Sequence, residues 1–435
     1  MQKKDLPPDN KFCYYPWRGA HIMPDGNVVA CCHQTYGHYG VEDFPIKQNL
    51  ADKSLEKIRI SDSWTRLRKD LVEGKRAPEC EYCWQLEDRG LPSMRTQRNR
   101  YFDEHGMFAD LDIEANGTMD QNDPVGYWDI RDNNICNLKC IMCGPGLSSL
   151  WNQEAIDNHG TDAKNYNVKR PIGDKAVFHV NDVSKEKVED IIERHIDKAK
   201  MFYFAGGEPL VNPTHWKILD LLIEKGLTNV KLTYNSNLQK LTWNKKNALE
   251  YWKKFDDVQM SASIDATGKV AEYSRTGTRW KTLDANFSKC MEIMPRSTAI
   301  STTLSLLTLD DFPNLMKWVG QKQIHTKNFI YHNVLVSPRY LNINILPKWY
   351  RDKKWQEIND VIDGWNQDHV AVLKGHSYAV LEKKIMEEED PEEVINQRTN
   401  FKNVILQLDR VRKTNFCKVY PDLAEWFESI PSTRK

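Results

Sequence analysis

The chain has 435 residues, 40% of them hydrophobic and 28% charged, and its 61 Lys+Arg balance 61 Asp+Glu. That length exceeds one ordinary hydrophobic core, so two or three domains are expected, of soluble globular composition. The balanced charge gives no global basic field of the kind nucleic acid recruits, and a local groove is all that remains open to it.

No apolar run is long enough for a transmembrane helix, so no membrane partner is expected. The opening Met-Gln-Lys-Lys-Asp-Leu-Pro-Pro-Asp-Asn has no apolar signal-peptide core, which points to a cytoplasmic protein. Ten cysteines then need an explanation. Without an export signal, clustered cysteines lean towards metal or redox chemistry rather than disulfides. Five fall at Cys13, Cys31, Cys32, Cys80 and Cys83, and three at Cys136, Cys140 and Cys143. Cys290 and Cys417 stand alone and read as small apolar packers.

In chain order, Ala20–Met23 and Asn27–Ala30 read as two strands joined by a Pro24-Asp25-Gly26 hairpin turn, which brings Cys13 and Cys31 towards each other. Residues 54–73 read as helix, with Leu55, Ile58, Leu67 and Leu71 on one apolar face and Ser61 capping a second helix after a break. Pro78-Glu79-Cys80-Glu81-Tyr82-Cys83-Trp84 supplies a CxxC hook. Four thiolates suffice for a tetrahedral zinc or a four-iron cluster, and these residues alone leave both open. Cys32 is an extra thiol, a bystander or an alternative ligand. His33 is a conceivable ligand but reads as a surface residue. The stretch 103–124 carries seven acids and no Lys or Arg, with Asn116-Gly117 and Asp123-Pro124 as turn signals, and reads as a connector.

From Val125 onward, strands at 126–133, 201–206, 229–235, 257–264, 298–306 and 328–336 alternate with helices such as 186–199, 213–226, 243–254 and 282–294. Repeated β and α units predict an α/β fold with a parallel sheet, and six units suit a partial TIM-like barrel. Within strands, Val258, Met260, Ala262 and Ile264 oppose Gln259, Ser261, Ser263 and Asp265. Likewise Trp128 and Ile130 oppose Asp129, Arg131 and Asn133. A doubly buried parallel strand would be apolar throughout, so the polar faces predict a wet or ligand-filled lumen. Strand position makes Arg131, Ser301, Thr303, Ser305, His332 and Asn333 lumen candidates. Residues 341–435 read as a mostly helical extension, with the acidic run 387–393 a solvated face.

The segment Ile135-Cys136-Asn137-Leu138-Lys139-Cys140-Ile141-Met142-Cys143-Gly144-Pro145-Gly146 follows the first strand of this region. Three thiolates at CxxxCxxC suit one iron–sulfur cubane and leave a corner iron open. The competing reading is zinc, which wants a fourth ligand that the loop lacks. CxxxCxxC after a first strand resembles the radical S-adenosylmethionine (SAM) superfamily. Met142 stands where that family prefers an aromatic residue. Phe204-Ala205-Gly206-Gly207-Glu208-Pro209 resembles the family's GGEP motif at the end of the second strand.

The resemblance implies that a 4Fe-4S cluster on Cys136, Cys140 and Cys143 binds and reductively cleaves SAM, giving a 5′-deoxyadenosyl radical that abstracts hydrogen from substrate. It implies SAM contacts at Met142, Ala205, Gly206, Gly207 and Glu208. Further contacts fall at Asn235 and Asn237 ending the third strand, Ser261, Ser263 and Asp265 ending the fourth, and Arg275 beyond. The spacing Cys13-x12-Gly26-x4-Cys31, followed by CxxC, resembles the twitch form of the SPASM domain. That likeness implies an auxiliary 4Fe-4S cluster on Cys13, Cys31, Cys80 and Cys83. In the family such domains usually follow the barrel, and here the motif precedes it.

The expected division is 1–102 auxiliary-cluster domain, 103–124 acidic connector, 125–340 partial barrel and 341–435 helical extension. The expected activity is an oxidative modification of a peptide or small polar substrate, with an electron donor such as flavodoxin or ferredoxin as a further partner. The alternatives are a non-catalytic zinc-binding interaction protein on a barrel scaffold, and radical modification of a nucleic-acid base, which the neutral charge disfavours.

Overall fold

The computed structural model describes residues 3–6, 10–35, 48–88, 90, 92–159, 177, 179–322, 330–365, 381–383, 385–387 and 390–432. Its strands, in chain order, are β1 (Gly19–Ile22), β2 (Asn27–Val29), β3 (Gln48–Asn49), β4 (Tyr127–Ile130), β5 (Lys139–Cys140), β6 (Met201–Phe204), β7 (Lys231–Ser236), β8 (Thr242–Trp243), β9 (Lys246–Asn247), β10 (Val258–Ser263), β11 (Arg275–Thr276), β12 (Thr298–Leu304) and β13 (Ile330–Val334). The six strands expected after Val125 are all present. The first two residues of the expected strand 328–336 lie outside the described residues. The chain divides into two compact units.

The first unit comprises Met1–Asn134, Val177–Thr233 and Tyr251–Val258. Its strands run in the order β3-β2-β1-β4-β6, with the start of β7 next. The β1–β2 hairpin is antiparallel, and Gly26 takes φ +79° at its turn, a conformation that glycine adopts at little cost. β1 then pairs in parallel with β4, from Gly19↔Tyr127 to Ile22↔Ile130, and β4 pairs in parallel with β6, from Tyr127↔Met201 to Ile130↔Phe204. The cysteine-bearing hairpin is thus part of the same sheet as the first strand of the βα region. Because side chains alternate along each strand, this register puts His21, Asp129 and Tyr203 in one row on one face. On the other face Trp128 stacks on Phe202 and meets His195 of helix Val188–His195.

The break expected near Ser61 is real: helices span Leu55–Arg59 and Asp62–Val72. It serves two fully buried arginines. Arg59 donates to the Trp17 carbonyl at 2.6 Å and to the Asp123 carbonyl at 2.5 Å. Arg68 donates to the carbonyls of Gly117 at 2.6 Å, Arg59 at 2.9 Å and Pro16 at 3.3 Å. These forks fasten the acidic connector to the segment just after Cys13.

The second unit comprises Ile135–Ala176, Tyr234–Glu250 and Gln259–Lys435. In it β10, β12 and β13 run parallel, with registers such as Met260↔Thr298 and Leu304↔Val334. Helix Trp280–Ile293 buries Leu283, Phe287 and Cys290, so Cys290 packs as its apolar surroundings suggested. A short antiparallel ladder joins β5 to β11 through Arg275↔Cys140 and Thr276↔Lys139. The extension beyond residue 340 is largely helical where described, with helices Lys348–Asp363 and Pro391–Arg412. No helix among the described residues is long and apolar enough to cross a membrane.

Arg68→Ala strands three buried carbonyls, and the expected cost is about 3 kcal/mol. Denaturant unfolding would measure it. Arg68→Lys should recover only a minor part, because an ammonium cannot reproduce the fork.

Candidate functional site

The loop carrying Cys136, Cys140 and Cys143 lies in the second unit, and its backbone is fixed mostly by groups from outside it. Ser148 Oγ donates to the Leu138 carbonyl at 2.6 Å, and Trp151 Nε1 to the Cys140 carbonyl at 2.7 Å. Ile141 N–H donates to the Ser274 carbonyl at 2.8 Å, and Cys143 N–H to the Cys140 carbonyl at 3.0 Å. Leu138 N–H points at Cys136 Sγ, 3.4 Å away. Cys140 is buried, and Cys136 and Cys143 are half-buried.

Burial raises the thiol pKa of Cys140, partly offset by the Arg275 guanidinium beside it. Burial and then the neighbouring Cys140 push Cys143 up to about 12. The residues 135–146 contain no His, Asp or Glu, so the loop's donor set is three sulfurs. That set fits a cubane with one open corner, whose binding would expel the thiol protons. Among the described residues, no three His, Cys, Asp or Glu side chains stand close enough for a single metal ion.

Strand ends supply the polar surroundings. Asn237, just beyond β7, donates through Nδ2 to Asn137 Oδ1 at 3.0 Å and lies 4.0 Å from Cys136 Sγ. Asp265, just beyond β10, accepts from Arg275 Nε at 2.6 Å and from Thr303 N–H at 2.7 Å. Arg275 Nη1 lies 3.8 Å from Cys140 Sγ. The expected residues Asn237, Asp265 and Arg275 therefore gather around the cysteine loop. Asn235 and Ser263 are half-buried and Ser261 buried, while Met142 is half-buried within the loop. Among the lumen candidates, Ser305 instead caps helix Leu306–Leu309 with Thr308, and Asn333 is exposed. The His332 side chain lies outside the described residues.

In the first unit, Ala205, Gly206 and Gly207 follow β6. Gly206 has φ +84°, and a Cβ there would fall 2.8 Å from Arg131 Cβ, so both backbone and space demand glycine. Glu208 is buried and extended, as expected before proline, and its carboxylate accepts from Leu210 N–H at 3.1 Å.

Cys13, Cys31, Cys80 and Cys83 lie within electrostatic reach of one another. Burial raises Cys31, and so do Cys32, Cys83, Cys13 and Cys80 around it. Burial raises Cys80, with Cys13 and Cys83 adding to it. His33 is half-buried with Nδ1 3.8 Å from Cys83 Sγ, not the surface residue expected, and burial lowers its pKa to about 4. Its ring lies edge-on to that of Tyr82, at 4.7 Å, inside the CxxC hook. Cys32 looks elsewhere: its sulfur is 3.7 Å from Met94 Sδ, and after burial its pKa responds most to Arg131 and Asp129.

Three participants escaped the reading of the sequence. His21 is fully buried with Nδ1 2.7 Å from Asp129 Oδ2, and Asp129 also accepts from Arg131 Nε at 3.0 Å. A single histidine in a four-residue strand gave no signal until its partner strand was known. Trp151 and Arg412 act on backbone carbonyls, which no side-chain motif encodes.

Residues 130–319 match the family described as the Radical SAM superfamily, and residues 13–84 match the SPASM iron–sulfur cluster-binding domain. The chain carries a radical SAM domain, and an iron–sulfur cluster-binding SPASM domain precedes it in sequence. These two domains imply SAM and 4Fe-4S clusters as cofactors. No curated protein matches the sequence.

Among solved structures, native anSMEcpe with bound AdoMet and Cp18Cys peptide is similar at 15% identity and a TM-score of 0.36, over 57% of this chain and 61% of that one. Streptococcus suis SuiB bound to S-adenosylmethionine is similar at 13% identity and a TM-score of 0.31, over 55% of this chain and 45% of that one. The chain thus spans less than two thirds of the length of either.

Gly206→Ala should destabilise the protein by more than the roughly 1–2 kcal/mol that left-handed backbone costs an alanine. Gly226→Ala is the control, since Gly226 has φ +68° with nothing within 4 Å of its would-be Cβ. Thermal melts of the two variants should differ by the cost of displacing Arg131.

Proposed function

We propose that this protein reductively cleaves SAM and uses the resulting 5′-deoxyadenosyl radical to oxidise a peptide or small polar substrate. The observation that carries this reading is the three-sulfur loop, held by its peptide groups and lacking a fourth ligand of its own. In this reading Cys136, Cys140 and Cys143 hold the SAM-cleaving cluster, and Cys13, Cys31, Cys80 and Cys83 hold the auxiliary one. The first cluster, when bound, supplies the electron that breaks the sulfonium C–S bond, and the second is the acceptor for the electron left on the substrate radical.

The protein's own residues do the rest. Arg275, neutralised by Asp265, presents a cation beside Cys140 Sγ, where it offsets thiolate charge and is available to the SAM carboxylate. Asn237 orients the loop through Asn137. Ala205, Gly206, Gly207 and Glu208 are assigned to the SAM amino group, and Asn235, Ser261 and Ser263 to the rest of SAM. Met142 is assigned as a further SAM contact. Residues 1–102, 103–124, 125–340 and 341–435 are assigned as auxiliary-cluster domain, connector, radical SAM region and helical extension. Cytoplasmic location and a flavodoxin- or ferredoxin-like donor complete the reading.

The test is anaerobic reconstitution followed by SAM and dithionite. The expected result is a brown protein with about eight irons per chain that forms 5′-deoxyadenosine. A colourless zinc protein that leaves SAM intact would sink the reading. Cys140→Ala should abolish SAM cleavage. Cys31→Ala should lower iron to about four per chain, whereas Cys32→Ala should leave it near eight, because Cys32 faces Met94 and Arg131. Replacing Cys80 and Cys83 together should spare SAM cleavage and block substrate oxidation.

A further inference from the structure

The last turn of helix Pro391–Arg412 delivers one side chain to the cysteine loop, all within the second unit. Arg412 Nη1 donates to the Lys139 carbonyl at 2.9 Å and to Thr276 Oγ1 at 3.0 Å. Lys139 immediately precedes Cys140, and Thr276 is its partner across the β5–β11 ladder. The opposite edge of the guanidinium is taken by Glu154, with Nε and Nη2 at 3.0 and 2.8 Å from Oε1. Glu154 also pairs with the Lys139 ammonium. The flat face of Arg412 lies over Trp151 at 4.7 Å, and Trp151 itself donates to the Cys140 carbonyl. Arg412 and Glu154 side chains are only 2% and 5% exposed.

A surface ion pair would contribute little, but this fork is dry. Both of its sides are used: Nη1 on the loop backbone and on the ladder beside it, and Nε with Nη2 on the carboxylate that also holds the loop's lysine. A lysine could supply the charge at Arg412 but not the bidentate geometry. The charges also sit close enough to matter to a neighbouring redox centre. Arg412 holds the carbonyl of the residue that immediately precedes Cys140.

We infer that Arg412 is a positioning residue for the SAM-cleaving cluster, and that Arg412 and Glu154 set its reduction potential in opposite directions. This rests on the reading that Cys136, Cys140 and Cys143 hold that cluster. It gives the helical extension a definite duty: its long helix completes the cysteine loop. The fork fixes the peptide between Lys139 and Cys140, and the cation stabilises the more negative, reduced state. The carboxylate of Glu154 limits that stabilisation. Partners outside the ligand sphere of metal sites typically change affinity or activity by about 10–100-fold when removed.

The experiment uses the reconstituted full chain, with the SAM-responsive component of the reduced electron paramagnetic resonance spectrum as the readout, titrated against potential. Arg412→Ala should lower its midpoint, Glu154→Gln should raise it, and 5′-deoxyadenosine formation by Arg412→Ala should fall at least about tenfold. Arg412→Lys should restore the midpoint while leaving the spectrum altered, because charge returns and the fork does not.

Arg398→Ala is the control for mere helix stability, since Arg398 Nε bonds the Ile345 carbonyl at 2.7 Å on the same helix. It should lower the melting temperature without moving the midpoint. If Arg412→Ala fails to retain iron, Arg412→Lys and Glu154→Gln carry the test: the first should keep the wild-type midpoint with an altered spectrum, and the second should raise the midpoint. Midpoints that stay put, or move the same way in Arg412→Ala and Glu154→Gln, overturn the inference. Wild-type protein with no SAM-responsive signal would instead overturn the reading beneath it.

Discussion

A loop that offers three sulfurs and leaves one corner open cannot be shaped by its ligands alone, so its peptide groups must be fixed from outside. That constraint organises the second unit. The carbonyls of Leu138, Lys139 and Cys140 are each taken by a side chain, from Ser148, Arg412 and Trp151 respectively. The N–H of Ile141 is taken by the Ser274 carbonyl. Buried peptide groups without partners would cost on the order of 1–3 kcal/mol each. The same bonds that satisfy the loop therefore also pick one conformation for it. Helix Ser149–His159, the β5–β11 ladder and helix Pro391–Arg412 are placed as that one loop requires.

The first unit meets a different constraint. It carries an ionised group inside a sheet. Asp129 is 1% exposed, between His21 in β1 and Arg131 beyond β4. Burial lowers the His21 pKa although Asp129 opposes it, and Arg131 with His21 overcomes the burial of Asp129 to hold the carboxylate ionised. Isolated in that position the charge would be strongly unfavourable. Pairing β1 with β4 is what supplies His21, and the glycine at 206 is what leaves room for Arg131. The cysteine hairpin is consequently no appendage: its first strand completes the polar row of the sheet that it joins.

Much of this was legible beforehand, for physical reasons. The cysteine spacings and GGEP are local, so they could be read without a fold. Period-two alternation in β4 and β10 marked Asp129, Arg131 and Asp265 as belonging to a polar face. The break was legible at Ser61, which takes the N-cap position of the second helix, although its hydroxyl bonds the Ile58 carbonyl and caps none of that helix's N–H groups. What was hidden is what depends on partners distant in sequence. Nothing local says that β1 lies beside β4, so His21 looked like one polar residue in an apolar strand. Nor could the sequence show that His33 turns inward to Cys83 while Cys32 turns away towards Met94. Cys32 and His33 open the short 3-10 helix Cys32–Thr35, where successive side chains point in different directions, and which of them meets the other cysteines is a tertiary fact.

The same distance dependence bears on how the cysteine loop forms. Arg412 is 273 residues from Lys139, so this backbone partner is in place only when helix Pro391–Arg412 has docked. Contacts of such separation require closure of a long loop before they return any stabilisation, and they form late. Asn237, Arg275 and Ser274 reach the loop over shorter separations and can arrange it first. The cradle thus draws on two sets of partners, a nearer one from Asn237, Ser274 and Arg275 and a distant fork from Arg412 that holds the carbonyl of Lys139.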